Sequence, residues 1–277
     1  MSNINVDKYV ISLYDYTGEA LKPWAERGYS CLAFDIQHDD TVTDVYGSGG
    51  SIKYVKADLH DQNVINNIAV NLQFENVVFG MAFPVCTDLA VSGAAHFKRK
   101  AQKDPLFQIK AANYAMMCAQ LFNELGVPFF IENPVSRLAT LWRKPDHCFH
   151  PYEYGGYICK SNAEHPTWPE YIAPRDAYPK KTCLWTGNGF TMPYRLPVEP
   201  EDGHSRQHLK LGGKSMKTKN IRSATPRGFA SAVYYANGVN EGVKEQECEC
   251  GIDDQGKWSE TVFDRFGCDC ENEGVKQ

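Results

Sequence analysis

Two side chains of this chain could act together on an electron-poor ring: the thiol of Cys86 and the carboxyl group of Glu132. Cys86 stands in Phe83-Pro84-Val85-Cys86-Thr87-Asp88-Leu89-Ala90-Val91-Ser92-Gly93, directly after the apolar run Val77-Val78-Phe79. An apolar run broken by a proline reads as a buried strand ending in a loop. Glu132 follows a second apolar run, Val127-Pro128-Phe129-Phe130-Ile131, and opens Glu132-Asn133-Pro134. Open α/β sheets bind their ligands beyond the carboxyl ends of the strands. Two adjacent parallel strands, joined by a helix, therefore put thiol and carboxyl over one pocket. A thiolate placed there can add to a carbon while the acid protonates the ring it attacks. A cysteine alone carries no such meaning, because free thiols are among the most buried and inert side chains. The pairing is what gives Cys86 its weight.

The elements that must position this pair read as alternating strands and helices, an α/β pattern. Tyr9-Val10-Ile11-Ser12-Leu13 is a β-rich run, followed by Tyr14-Asp15-Tyr16-Thr17-Gly18 and a helix through Trp24-Ala25-Glu26-Arg27 that Gly28 stops. Cys31-Leu32-Ala33-Phe34 is a second strand ending at Asp35. The segment 44–51 reads as a loop, and Ile52 to Asp58 as a third strand. A helix is expected over 61–71, with Val64, Ile65, Ile68 and Leu72 on one face, and another from about Phe107 to Leu125. Asp15, Asp35 and Asp58 thus stand at three successive strand ends. They suit a ligand with hydroxyls, an amine and no phosphate, such as S-adenosylmethionine, although each could equally cap a helix. The full glycine-rich fingerprint of a dinucleotide fold is missing. Residues 141–203 are rich in proline and aromatics and read as a smaller, irregular region. Helical signal returns in Gly228-Phe229-Ala230-Ser231-Ala232-Val233-Tyr234-Tyr235-Ala236.

At 277 residues, with 43% hydrophobic content, the chain can build one large domain with a smaller appendage. No apolar run approaches membrane-spanning length and no signal-peptide pattern opens the chain, so a cytoplasmic protein with reduced thiols is expected and no membrane partner. The net charge of −5 argues against general adhesion to nucleic acid, but it hides a local patch. From His204 to Arg227 there is no acid, while Arg206, Lys210, Lys214, Lys217, Lys219, Arg222 and Arg227 are cationic. Lys98-Arg99-Lys100 with Lys103 forms a second cluster after the Cys86 loop. Such segregation is what phosphate contacts require, against the alternative of a solvated face balanced by acids elsewhere.

The order of these motifs resembles the cytosine-C5 DNA methyltransferases, in the compact form common among bacteriophage. The match runs through Asp15-x-x-Gly18, Asp35, Asp58, Pro84-x-Cys86 with Ser92-Gly93, Asp104-Pro105-Leu106-Phe107 and Glu132-Asn133-Pro134. Lys180-Lys181-Thr182-Cys183-Leu184-Trp185 is similar to the strand carrying the family's basic motif. Ser223-Ala224-Thr225-Pro226-Arg227-Gly228-Phe229-Ala230 resembles the segment that returns the chain to the cofactor domain. The resemblance departs at Val85, where the family has a second proline, at Pro134, where it has valine, and at a first motif reduced to Gly18. Lysines also replace its paired arginines.

The resemblance implies a Rossmann-like S-adenosylmethionine-dependent methyltransferase fold with a small irregular second lobe. The cofactor and catalytic domain would cover 1–140, a target-recognition-like lobe 141–215, a returning segment 216–240 and an acidic tail 241–277. It implies S-adenosylmethionine bound by Asp15, Tyr16, Gly18, Asp35, Ile36, Asp58 and Pro84. Cys86 would add to C6 of a flipped cytosine, Glu132 would hold a proton at N3, and Asn133 would orient that carboxyl group or brace the loop. DNA would meet Ser92, Lys98, Arg99, Lys181, Lys217, Lys219 and Arg222, in the cytoplasm of a bacterial host if the chain is phage-encoded. Two other readings stay open: a pyrimidine C5-modifying enzyme acting on nucleotides or RNA or using a modified cofactor, and a catalytically idle DNA-binding descendant. Separately, Cys248-x-Cys250 and Cys268-x-Cys270 supply four thiols in two close pairs, a donor set for tetrahedral zinc. The alternative there is an acidic tail with free thiols. Cys148, His150, Cys159 and His165 are spaced too irregularly for a metal.

Overall fold

A computed structural model describes residues 5–39, 42–73, 75–212 and 215–238 of the chain. Its centre is an eight-stranded, mostly parallel sheet in a mixed α/β fold consistent with a Rossmann-like architecture. The strands are β1 (Tyr9–Leu13), β2 (Ser30–Asp35), β3 (Thr43–Val45), β4 (Ser51–Lys56), β5 (Val77–Ala82), β6 (Phe129–Pro134), β7 (His147–Phe149) and β8 (Thr182–Gly187). They lie in the order β3-β4-β2-β1-β5-β6-β8-β7. The five central strands, β4 to β6, run parallel, whereas β8 lies antiparallel between β6 and β7. The chain builds outward from β1 through β2 to β4, then crosses back to β5. That reversal opens a crevice beyond the carboxyl ends of β1 and β5.

The helices are α1 (Lys22–Ala25), α2 (Gln62–Leu72), α3 (Phe97–Lys103), α4 (Phe107–Leu125), α5 (Leu138–Leu141), α6 (Arg206–Lys210), α7 (Met216–Ser223) and α8 (Arg227–Asn237). Because successive strand residues face opposite sides, the inner strands bury both faces. One core takes Ile11, Leu13, Phe129 and Ile131 against α2 and α4. The other takes Val10, Phe79 and Phe130 against Trp24 of α1 and Phe229 and Val233 of α8. Asp61 caps α2 by accepting the Asn63 N–H at 2.9 Å. Gly126 ends α4 at φ +68°, a left-handed conformation that suits glycine, and turns the chain into β6.

Three expectations need correction. The 44–51 loop contains most of β3, an edge strand whose three residues are all exposed and carry no alternation to read. The helix through Arg27 is shorter, ending at Ala25. The region 141–215 is not wholly irregular, since β7 and β8 return to the main sheet. Its segments 141–146, 150–181 and 188–212 lie outside the sheet, the last containing α6. Strand pairing over such a separation leaves little local signature in a segment broken by prolines.

Candidate active site

The β5 chain leaves the sheet at Ala82, and β6 beside it carries Glu132 one residue beyond the Ala82–Ile131 register pair. The Cys86 carbonyl accepts the N–H groups of Leu89 (2.9 Å) and Ala90 (2.8 Å), closing a turn. That turn is sewn to the segment after β6: Val91 N–H donates to Val135 O at 3.1 Å and Arg137 N–H to Leu89 O at 2.9 Å. Asn133, 1% exposed, donates its Nδ2 to the Pro84 carbonyl at 3.1 Å. It braces the loop two residues ahead of the thiol from the sheet face opposite Glu132. Its Oδ1 is buried with no hydrogen-bond partner among the described residues.

Glu132 faces a cleft lined by Phe83, Phe149, Lys180, Thr182, Phe229 and the 223–226 segment. Burial pushes its carboxyl above the usual range, with the Lys180 ammonium pulling the other way. Burial, and then the Glu132 charge, push the half-buried Cys86 thiol up, again opposed by Lys180. Two weak acids thus share one cation, so ionising one favours the proton on the other. Lys180 is fixed by donating to the Arg222 carbonyl of α7 at 2.8 Å. Lys181, which the resemblance assigns to DNA contact, is exposed beside it. Strand parity was the available signal: Lys180 shares it with Thr182 and Leu184, on the cleft side, while Cys183 and Trp185 belong to the other core.

At the carboxyl ends of β1 and β2 the acids differ in what they have free. Asp15 is sealed: its carboxylate accepts Ser12 Oγ (2.8 Å), Gly18 N–H (2.8 Å) and Thr17 Oγ1 (3.3 Å), and burial pushes it up against those donors. It shapes the loop. Gly18 takes φ +66°, and a Cβ there would meet the Tyr54 hydroxyl at 2.8 Å. Asp35 is buried, with Oδ1 accepting Gln37 N–H at 2.8 Å, while nothing among the described residues donates to Oδ2. Beside it Ile36 is 56% exposed, and the exposed Tyr16 stacks on His38 at 5.6 Å. Asp58 is exposed and accepts the His60 N–H, and Pro84 is buried. An open carboxylate oxygen flanked by exposed apolar surface suits a nucleoside.

The cations fall into two groups. Ser92 lies exposed in a 3-10 turn (Val91–His96), and Lys98 and Arg99 of α3 are exposed with no partner among the described residues. Lys100 instead pairs with Asp88. In the acid-free tract, Arg206 pairs with Glu201, Lys210 donates to Glu170 O, and Arg222 donates to Leu211 O. Arg227 reaches three carbonyls, those of Asn162, Ala163 and Glu164. These four tie the irregular segments together. Lys217, which lies over the Tyr171 ring, and Lys219 remain exposed. Lys214 and the cysteines Cys248, Cys250, Cys268 and Cys270 lie outside the described residues. Among the described residues no three His, Cys, Asp or Glu side chains gather to hold a metal, and no helix is long and apolar enough to cross a membrane.

No protein-family profile matches the chain, and no curated protein is similar to it in sequence. Among solved structures it is similar to an E. coli protein described as a DNA modification methyltransferase encoded within a prophage. The identity is 14% and the TM-score 0.36, over 65% of this chain and 46% of that one. The chain therefore spans about half that protein's length. It is also similar to a short chain dehydrogenase family protein from Francisella tularensis subsp. tularensis SCHU S4, at 11% identity and TM-score 0.24, over 44% of this chain and 66% of that one. Likenesses this slight carry no argument about function, which rests on the residues of the site.

Proposed function

We propose that the protein is a DNA cytosine-C5 methyltransferase in which Cys86 is the nucleophile and Glu132 the acid. The observation that carries this reading is the placement of Cys86 beyond, and Glu132 at, the carboxyl ends of the adjacent parallel strands β5 and β6, with Lys180, just ahead of antiparallel β8, acting on both and burial holding both acids above their ordinary values. A carboxyl group whose hold on its proton is strengthened by burial is suited to donate that proton to N3 of a cytosine. The Cys86 thiolate then adds to C6, and N3 takes the Glu132 proton as the ring electrons move to C5. Lys180 stabilises the negative charge that passes from thiolate to carboxylate. S-adenosylmethionine, when bound, supplies a methyl group on a sulfonium to the activated C5. Asp35 would hold the ribose hydroxyls of that cofactor, with Ile36 and Tyr16 against the adenine. A water molecule then takes the C5 proton, the C–H electrons restore the C5–C6 double bond as the C6–S bond breaks and Cys86 leaves as thiolate, and N3 returns its proton to the Glu132 carboxylate. Asn133 touches no reacting atom and acts as a positioning residue through the Pro84 carbonyl.

A polymeric substrate is favoured by Lys98 and Arg99, free on the helix that follows the Cys86 loop, and by exposed Lys217 and Lys219. One observation favours a nucleotide or RNA substrate instead: Arg206, Lys210, Arg222 and Arg227 are occupied within the protein. Incubation of the full chain with methyl-labelled S-adenosylmethionine and mixed-sequence duplex DNA tests the reading. Label is expected in cytosine C5, absent with Cys86→Ser and severely reduced with Glu132→Gln. Label in free cytosine nucleotides at an equal rate supports the second substrate class, and undiminished turnover by Cys86→Ser removes the nucleophile.

A further inference from the structure

We propose that Cys148 and Cys183 form a redox-active dithiol behind the cleft, closing reversibly to a disulfide that ties β7 to β8. This stands independently of the reading of Cys86. The two residues are direct register partners in the antiparallel β7–β8 pair. Their sulfurs lie 3.3 Å apart and both are free thiols. Residues directly opposite in an antiparallel pair have Cα atoms about 4.5–5.5 Å apart, within the span a disulfide bridges. Access is asymmetric: Cys183 is buried in the core with Trp185, whereas Cys148 is half-buried at the sheet edge. Burial, and then the neighbouring thiol, push Cys183 up, and Cys148 is the more accessible of the two, so Cys148 is the attacking sulfur and Cys183 the resolving one.

The oxidant class is a peroxide. The Cys148 thiolate attacks one peroxide oxygen, the O–O bond breaks, and a sulfenic acid and hydroxide result. The Cys183 sulfur then attacks the sulfenic sulfur, the S–O bond breaks, and water leaves with the Cys183 proton. Two thiols are oxidised to one disulfide and hydrogen peroxide is reduced to two waters. A dithiol reductant reverses the step.

The position gives the bond a structural consequence. Phe149 and Thr182, the next register pair, both line the Glu132 cleft. On its other side Cys183 pairs with Asn133, the residue that holds the Pro84 carbonyl. The cross-link would therefore clamp the cleft wall from behind, one strand away from the loop brace.

The test is non-reducing peptide mapping of the full chain after hydrogen peroxide treatment, with thermal unfolding of the same samples. A Cys86→Ala background removes the candidate nucleophile as a competing thiol. The expected result is a cross-linked peptide pair containing residues 148 and 183 that dithiothreitol releases. The thermal midpoint is expected to rise by roughly 10 °C, as for closure of a loop of this length. Cys148→Ser and, independently, Cys183→Ala should each abolish cross-link and rise. Oxidation of Cys148 to the sulfinic acid without a cross-link overturns the proposal. So does pairing of either residue with a different cysteine, or a lowered midpoint in the cross-linked protein.

Discussion

The bond from Asn133 Nδ2 to the Pro84 carbonyl ties β6 to the Cys86 loop, and its energetics can be worked through. Asn133→Ala removes a buried hydrogen bond worth about 1 kcal/mol and leaves the Pro84 carbonyl unsatisfied at about 1–3 kcal/mol. Against this, the alanine also removes an Oδ1 that is buried without a partner, which returns about 1 kcal/mol. The net loss is about 1–3 kcal/mol. Asn133→Asp is nearly isosteric but sets a carboxylate oxygen against a carbonyl in a buried site, so its loss should reach about 3 kcal/mol or more near neutral pH. Burial raises the folded-state pKa of such an aspartate, so its stability deficit shrinks as pH falls and the protonated acid donates to Pro84. Urea unfolding of both variants at pH 5 and pH 7.5 measures this, with the thermal midpoint moving about 2–3 °C per kcal/mol in a chain this large. Under the proposed function, displacement of the Cys86 loop should lower kcat by about 10- to 100-fold and leave cofactor affinity unchanged. An aspartate variant as stable as the alanine one at pH 7.5, or no loss in either, would refute the brace.

Asp176 is buried at φ +52° and accepts the Gly228 N–H at 2.9 Å, with burial pushing it up to about 6. Its raised value means that its contribution to stability is full below about pH 4 and is lost as pH rises through about 6. Asp176→Asn keeps the acceptor and tolerates the positive φ, so it should stabilise the protein by up to about 3 kcal/mol at pH 7.5 and little at pH 4. Equal stability of the two proteins at pH 7.5 by urea unfolding counts against this. Asp35→Ala should weaken S-adenosylmethionine binding at least tenfold by calorimetry, because the open Oδ2 is the proposed ribose acceptor. An unchanged dissociation constant moves that contact elsewhere. Joint charge reversal at Lys98, Arg99, Lys217 and Lys219 should weaken DNA binding for all sequences and flatten its salt dependence. Arg227→Ala should instead lower thermal stability, since three carbonyls lose their donor.

The sequence alone determined what depends on neighbours in the chain. Apolar runs located β1, β2, β5 and β6, and the 3.6-residue period located α2 and α4, because burial on one side of an element imprints its own repeat. The same runs put Cys86 and Glu132 just beyond or at the ends of their strands. Other features were decided only by long-range pairing. The insertion of β8 between β6 and β7 brought Lys180, not Lys181, into the cleft, and it set Cys148 against Cys183 across thirty-odd residues. Charge counted along the tract from His204 to Arg227 suggested one continuous phosphate-binding face. Folding divided it, because an arginine near carbonyls left unpaired by irregular chain is drawn to them rather than to solvent. Asp15 met a similar fate: its residue type and place at a strand end were visible, but the three donors that close around it belong to the folded turn. A side chain's chemistry is written locally, whereas its free valences are set by what the fold packs against it.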